Sequence, residues 1–227
     1  GLFKDRTNIK KVTLPEGMTI IPKETFSGCT SLTSINIPST IKTIGERAFN
    51  NTGLTKITVP NTVTTIEASA FRNNKELITV TLPSEITTLS EYIFYNCPKL
   101  TNVAIPSTVT SIGDLAFAMT GITKLNIPSS VKTIGEQAFY YCQNLKGTVT
   151  IPKSVTFIGS KAFNFSLGIE KYIIQNPNVT IDEEALDGEI TVAINQKIKP
   201  IEGINIASTK NYYPYTATIA SDGTITT

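Results

Sequence analysis

The chain has 227 residues, 17% of them charged, with 20 Lys and Arg against 18 Asp and Glu for a formal net charge of +2. That balance gives no electrostatic case for nucleic acid or an anionic membrane, and no apolar run reaches the roughly 18 residues of a bilayer-spanning helix. His is absent, which excludes Ser-His and Cys-His nucleophile pairs, a His general base and His-ligated zinc.

Taken in chain order, the sequence is a repeat. Pro recurs at Pro15, Pro38, Pro60, Pro83, Pro106, Pro128 and Pro152, in steps of 22–24 residues. Phe26, Phe49, Phe71, Phe94, Phe117, Phe139 and Phe163 each follow a Pro by 11 residues. Length therefore varies only between a Phe and the next Pro, at turns holding Gly53, Gly121 and Gly147, where stacked coils tolerate insertion. Leu2-Phe3 falls in register 23 residues before Thr25-Phe26, so the chain opens inside a coil.

Within one unit, Ile35 and Ile37 alternate as in a half-buried strand. Pro38 ends that strand, because it cannot donate to a ladder. The segment from Ile41 to Ile44 is read as turning the chain back, and Glu46 to Asn50 as a one-turn helix with an acid near its N-terminus. Gly45 opens that turn, but Pro22, Glu67 and Ser90 hold the same slot elsewhere, so no positive φ is expected there. One coil buries too little apolar surface to offset the entropy of ordering it, so stability must come from stacking. A last, degenerate unit ends near Leu186, with Gln175 in its Pro slot. Residues 189–227 leave the repeat. Strands are expected at 189–195, 201–207, 215–220 and 224–227, with Ser221-Asp222-Gly223 as a hairpin turn.

The unit Ile122, Leu125, Ile127, Pro128, Val131, Ile134, Gly135, Ala138, Phe139, Cys142, Leu145 resembles the BspA-like class of leucine-rich repeats, and the resemblance covers about residues 2–188. It implies a leucine-rich repeat solenoid of about eight coils, with a parallel β-sheet on its concave face and short strands and one-turn helices elsewhere. Residues 1–188 would form the solenoid, and 189–227 a β-rich cap or the start of a following domain. The resemblance also implies a bacterial cell-surface or secreted protein with a role in adhesion and protein binding, its signal and anchor outside this segment. It supplies no catalytic residues, so no enzyme activity and no cofactor is expected. The runner-up reading is a structural spacer that displays another domain. The partner expected is a protein of a host or neighbouring cell, bound by a monomer, with no nucleic acid and no membrane insertion.

Two surfaces are candidates for contact. On the concave face, Lys11, Lys56, Lys124 and Lys171 share one slot with Ser, Thr and Asn. They could meet an acidic polymer, or the Thr-rich face could simply be a solvated sheet. The other is an edge where polar residues of the early coils give way to Tyr92, Tyr95, Met119, Tyr140, Tyr141 and Phe165. Aromatic side chains dominate protein interfaces, though these could also lie flat over loop backbone. Glu46, Glu91, Asp114, Glu136 and Glu183 form an acidic row that is read as stabilising helix N-termini. Cys29, Cys97 and Cys142 lie two or more coils apart, beyond disulfide reach, and are expected as buried free thiols.

Overall fold

The computed structural model describes residues 1–182, 184–187, 189–193, 218–219 and 224–226. Each coil makes three runs that stack on the same runs of its neighbours. The run before the Pro is the expected sheet, but it forms regular ladders only locally. Lys56–Thr58 pairs in parallel with Thr79–Thr81, and Gly147–Ile151 pairs with Ile169–Ile174. Elsewhere it is reduced to single bridges, Thr13 with Asn36 and Thr79 with Asn102.

The run after the Pro is a second parallel sheet, where the sequence was read only as turning back. Its strands are two residues long. Ile20–Ile21, Thr43–Ile44 and Thr65–Ile66 form one sheet, and Thr88–Leu89, Ser111–Ile112, Thr133–Ile134, Phe157–Ile158 and Thr180–Ile181 form another. In each strand the second residue faces the core, and Ile21, Ile44, Leu89, Ile134 and Ile158 are completely buried.

The break between these two sheets has a steric cause. A Cβ on Gly45 would come within 2.6 Å of the Lys23 nitrogen of the preceding coil, and one on Gly113 within 2.8 Å of the Glu91 nitrogen. Coils approach closely at this slot. A residue with a side chain is accommodated next to a Gly, as where the Glu67 N–H donates to Ile44 O at 2.9 Å and that of Asp182 to Ile158 O at 2.9 Å. Ser90 instead stacks on Glu67, so two successive coils carry a side chain there. At that step the Ser90 hydroxyl bonds Ile66 O, taking the place of the backbone donor seen in the other coils.

The third run carries the Phe and is not helical. No described residue lies in a helix, which corrects the expected one-turn helices. The physical reason is the destination of the N–H groups. Arg47, Phe49 and Asn51 donate sideways to Ala68, Ala70 and Arg72 of the next coil, at 3.1, 2.9 and 2.8 Å. Only the intervening N–H groups close local turns, Ala48 to Gly45 at 3.0 Å and Asn50 to Arg47 at 3.1 Å. A helix would use all of them within its own chain. The residue two before each Phe from Phe26 onward, and before Leu186 in the last unit, is consequently left-handed: Glu24, Arg47, Ser69, Tyr92, Leu115, Gln137, Lys161 and Glu184 have φ between 52° and 60°. Such a residue sits third in a four-residue turn, the position that a type II turn normally gives to Gly or Asn.

With no helix present, the acidic row has another role. Asp114 Oδ1 accepts the Glu136 N–H at 2.8 Å, much as Glu67 Oε2, from the Gly slot, accepts that of Glu46 at 2.8 Å, and Glu46 pairs with Lys23 and Arg47. Glu183 lies outside the described residues.

The Phe rings form a continuous column. Phe3, Phe26, Phe49, Phe71, Phe94, Phe117, Phe139 and Phe163 stack with centroids 4.9–5.8 Å apart, and Tyr172 closes the column edge-on to Phe163 at 5.5 Å. The ladder beside the rings ends in a side chain. The Phe165 N–H, whose counterparts donate to the next backbone, donates to Asp187 Oδ2 at 2.7 Å. Beyond the last coil, Glu189–Ala193 adds in parallel to Ile169–Ile174. Thr224–Thr226 then runs antiparallel to it, and Thr218–Ile219 antiparallel to Thr224–Thr226. The expected strand at 201–207 and the turn at Ser221-Asp222-Gly223 lie outside the described residues.

Candidate binding edge and sheet face

The residues two before, one after and two after each Phe lie along the coil edge, whereas from Phe26 onward the residue just before it is buried. Those two before and one after it are neighbours: the rings of Tyr92 and Tyr95 meet edge-on at 5.6 Å. Above them sits Arg72, from the coil before, with Cζ 5.1 Å from the Tyr92 ring centre and 4.8 Å from that of Tyr95. Arg72 was not singled out from the sequence. Its signal was available, since it occupies the slot of Tyr95 one coil earlier.

The other rings form a second cluster. Tyr140 lies 6.3 Å from Tyr141 and meets Phe165 edge-on at 5.6 Å. Tyr141 is 40% exposed and Phe165 48%, with Leu167 beyond them at 74%. Tyr92, Tyr95, Met119 and Tyr140 are half-buried. Between the clusters, Ala118 occupies the slot of Tyr95 and Tyr140 and is completely buried, so larger neighbours close over its methyl. Leu167 was also missed, because it lies in the variable turn rather than in a repeat slot.

What sets this edge apart is the residue type that a shared backbone geometry carries. The slot two after the Phe is left-handed in every coil. The earlier coils fill it with Asp5, Gly28, Asn51, Asn73 and Asn96, at φ of 58°, 77°, 52°, 60° and 56°, residue types that tolerate this region. The next three fill it with Met119, Tyr141 and Phe165, at 59°, 57° and 59°. A left-handed residue with an ordinary Cβ costs about 1–2 kcal/mol.

The early coils instead close their edge with polar pairs. Asn50 donates to Ser27 at 3.1 Å, Asn73 to Asn50 at 3.3 Å and Asn96 to Asn73 at 3.0 Å, while Lys4 pairs with Glu24 at 3.0 Å. The bond from Lys4 holds the Glu24 carboxyl below its usual range.

The lysine slot lies where the register placed it. Lys56 is opposite Thr79, and Lys171 opposite Thr148. Lys11, Lys56 and Lys124 are exposed and Lys171 half-buried, but coils lacking a lysine separate them, so they form no cluster. Lys11, Thr13, Glu16, Ser34, Asn36 and Lys56 line an open depression of about 700 Å³ on the first coils.

Three residues after each Phe runs a buried polar column of Cys29, Thr52, Asn74, Cys97, Thr120, Cys142 and Ser166. It satisfies Phe carbonyls that point into the coil. The Cys29 thiol donates to Phe3 O at 3.0 Å, Cys97 to Phe71 O at 3.2 Å and Cys142 to Phe117 O at 3.1 Å. Asn74 Nδ2 donates to both Phe49 O and Phe71 O at 2.8 Å, and Ser166 Oγ to Phe139 O at 2.7 Å. The three cysteines are free thiols. Burial pushes Cys97 up to about 12 and Cys142 up to about 11. Among the described residues no group of three or more His, Cys, Asp or Glu is placed to hold a metal, and no helix is long and apolar enough to cross a membrane.

A solenoid of parallel ladders with one Phe and a strand-ending Pro per coil defines a leucine-rich repeat protein. The chain belongs to the BspA type Leucine rich repeat region family, whose model matches six copies over residues 1–122 and 110–212. It is similar to a leucine-rich repeat protein from Bacteroides ovatus, with 26% identity, a TM-score of 0.62, and 83% of this chain and 58% of that one covered. It is also similar to a leucine rich cell surface protein from Faecalibacterium prausnitzii, with 26% identity, a TM-score of 0.57, and 86% and 62% covered. The chain thus spans about three fifths of the length of each of these two proteins. No curated protein matches it.

Proposed function

We propose that the chain is a non-enzymatic binding module of a bacterial cell-surface or secreted protein, and that its protein ligand docks on the edge built by Tyr92, Tyr95, Met119, Tyr140, Tyr141 and Phe165. The observation that carries this reading is Met119, Tyr141 and Phe165 in a left-handed slot that the earlier coils fill with Asp5, Gly28 or Asn, with Tyr141 and Phe165 exposed there. The stack imposes the left-handed backbone in every coil, so the large apolar side chains here are kept at a cost that Gly or Asn would avoid, and rigid aromatic side chains are the usual anchors of protein interfaces. The likeness to a cell-surface protein of Faecalibacterium prausnitzii supports the location. In the same reading, residues 189–227 are a β cap on the solenoid or the start of a following domain.

The test is binding of the purified chain to an array of immobilised extracellular and cell-surface proteins. Tyr141→Asn with Phe165→Asn should weaken the strongest interaction by about 2 kcal/mol or more, the hot-spot scale. Its melting temperature should stay level or rise, because Asn relieves the strain. Lys56→Ala with Lys124→Ala should change mainly the association rate and its salt dependence. The reverse pattern moves the site to the Lys and Thr face. Binding to nothing on the array favours the spacer.

A further inference from the structure

We infer that the aromatic edge receives a cationic, arginine-bearing segment of its partner; this rests on the binding reading above and narrows it to one chemistry. The molecule already contains the arrangement once. Arg72 lies within 5.1 Å of the centres of both Tyr92 and Tyr95, so this edge accepts a guanidinium over a pair of rings set edge to edge. Tyr140 and Phe165 repeat the edge-on pair at the same 5.6 Å separation. Tyr141 and Phe165 are exposed, and among the described residues no cation lies over that cluster.

Charge along the edge points the same way. In the coils from Phe94 onward, the outward slots around the Phe carry Glu91, Asp114, Glu136, Glu184 and Asp187 against Lys161 alone. Lys161 is already paired with Glu184 at 3.4 Å. Among the described residues no ion pair engages Glu91, Asp114 or Glu136. The first coils differ: there Lys4, Lys23 and Arg47 answer Glu24 and Glu46 within the chain. A near-neutral molecule therefore presents, on one half of one edge, rings and carboxylates that accept N–H groups but have no cation among the described residues to neutralise them. Arginine fits better than lysine, because its planar, weakly hydrated guanidinium stacks on aromatic faces while its N–H groups reach carboxylates.

The experiment is selection of a displayed random dodecapeptide library on the intact chain, counter-selected on the folded Tyr141→Asn, Phe165→Asn variant. Selected peptides are then synthesised with arginine or with citrulline, the uncharged isostere. The expected result is enrichment of arginine in the edge-dependent peptides, and a loss of affinity on citrulline substitution of about tenfold or more. Edge-dependent peptides that lack a cation, or that bind equally well with citrulline, overturn the arginine assignment and leave the binding reading standing. Peptides that bind the variant as well as the wild type, or no enrichment at all, overturn the inference too, and the protein array then decides the binding reading by itself. A variant melting temperature at or above that of the wild type establishes that lost binding is not lost folding.

Discussion

Asn74 makes four hydrogen bonds while completely buried. It accepts from the N–H of Thr52 at 2.8 Å and from the Thr52 hydroxyl at 2.6 Å, and donates to the Phe49 and Phe71 carbonyls. Replacing it by Ala strands several buried groups at about 1–3 kcal/mol each. Asn74→Ala should therefore lower unfolding free energy by at least about 3 kcal/mol in a urea titration. Asn74→Thr, which installs the residue found at Thr52 and Thr120, should cost visibly less. The cysteines of the same column give a chemical readout. With Cys97 near 12 and Cys142 near 11, almost no thiolate exists at neutral pH, and the thiolate is the reactive form. A thiol reagent should find no fast-reacting group in the native chain and three after denaturation. A fast native thiol would mean that the column opens on its own.

At the scale of elements, the seam at Ser90 is the part most open to manipulation. Ser90→Gly removes one of two opposed side chains and lets the backbone N–H reach Ile66 O, as its counterparts do. A net hydrogen bond contributes about 1 kcal/mol and the added chain entropy of Gly offsets about as much, so stability should barely move. Hydrogen exchange at residue 90 should slow markedly, and unchanged exchange would mean that the seam has another cause. The seam also illustrates what the sequence made visible. The spacing of Pro and Phe disclosed the coil, the core column and the sheet before each Pro. The second sheet escaped because strands such as Thr43–Ile44 are too short for an alternation to show. The left-handed turns escaped because the slot two before the Phe holds Glu, Arg, Ser, Tyr, Leu, Gln and Lys, none of which marks a positive φ. The neighbouring coil imposes that geometry by taking every second N–H. Of the candidate site, the aromatic residues were legible as a change of slot composition, whereas the strain beneath them was not.

For the molecule as a whole, the Phe column links every coil to the next. Each ring touches only the rings above and below, so stability is close to a sum of coil and interface contributions. Phe117→Ala empties a central site and breaks two stacking contacts, at about 3–5 kcal/mol. The melting temperature should fall by on the order of 10 °C for a chain of this size. A change of only a degree or two would show that neighbouring coils collapse into the gap.

The sideways hydrogen bonds that displaced the helix also fix how the protein answers a pull. They run from coil to coil, roughly along the solenoid axis. Tension applied along that axis loads them in line, so they open in succession instead of resisting together in shear. Each released coil pays out 22–24 residues, or about 75–80 Å of extended chain at roughly 3.4 Å per residue. Under load, the chain would lengthen in equal steps and leave the remaining coils folded.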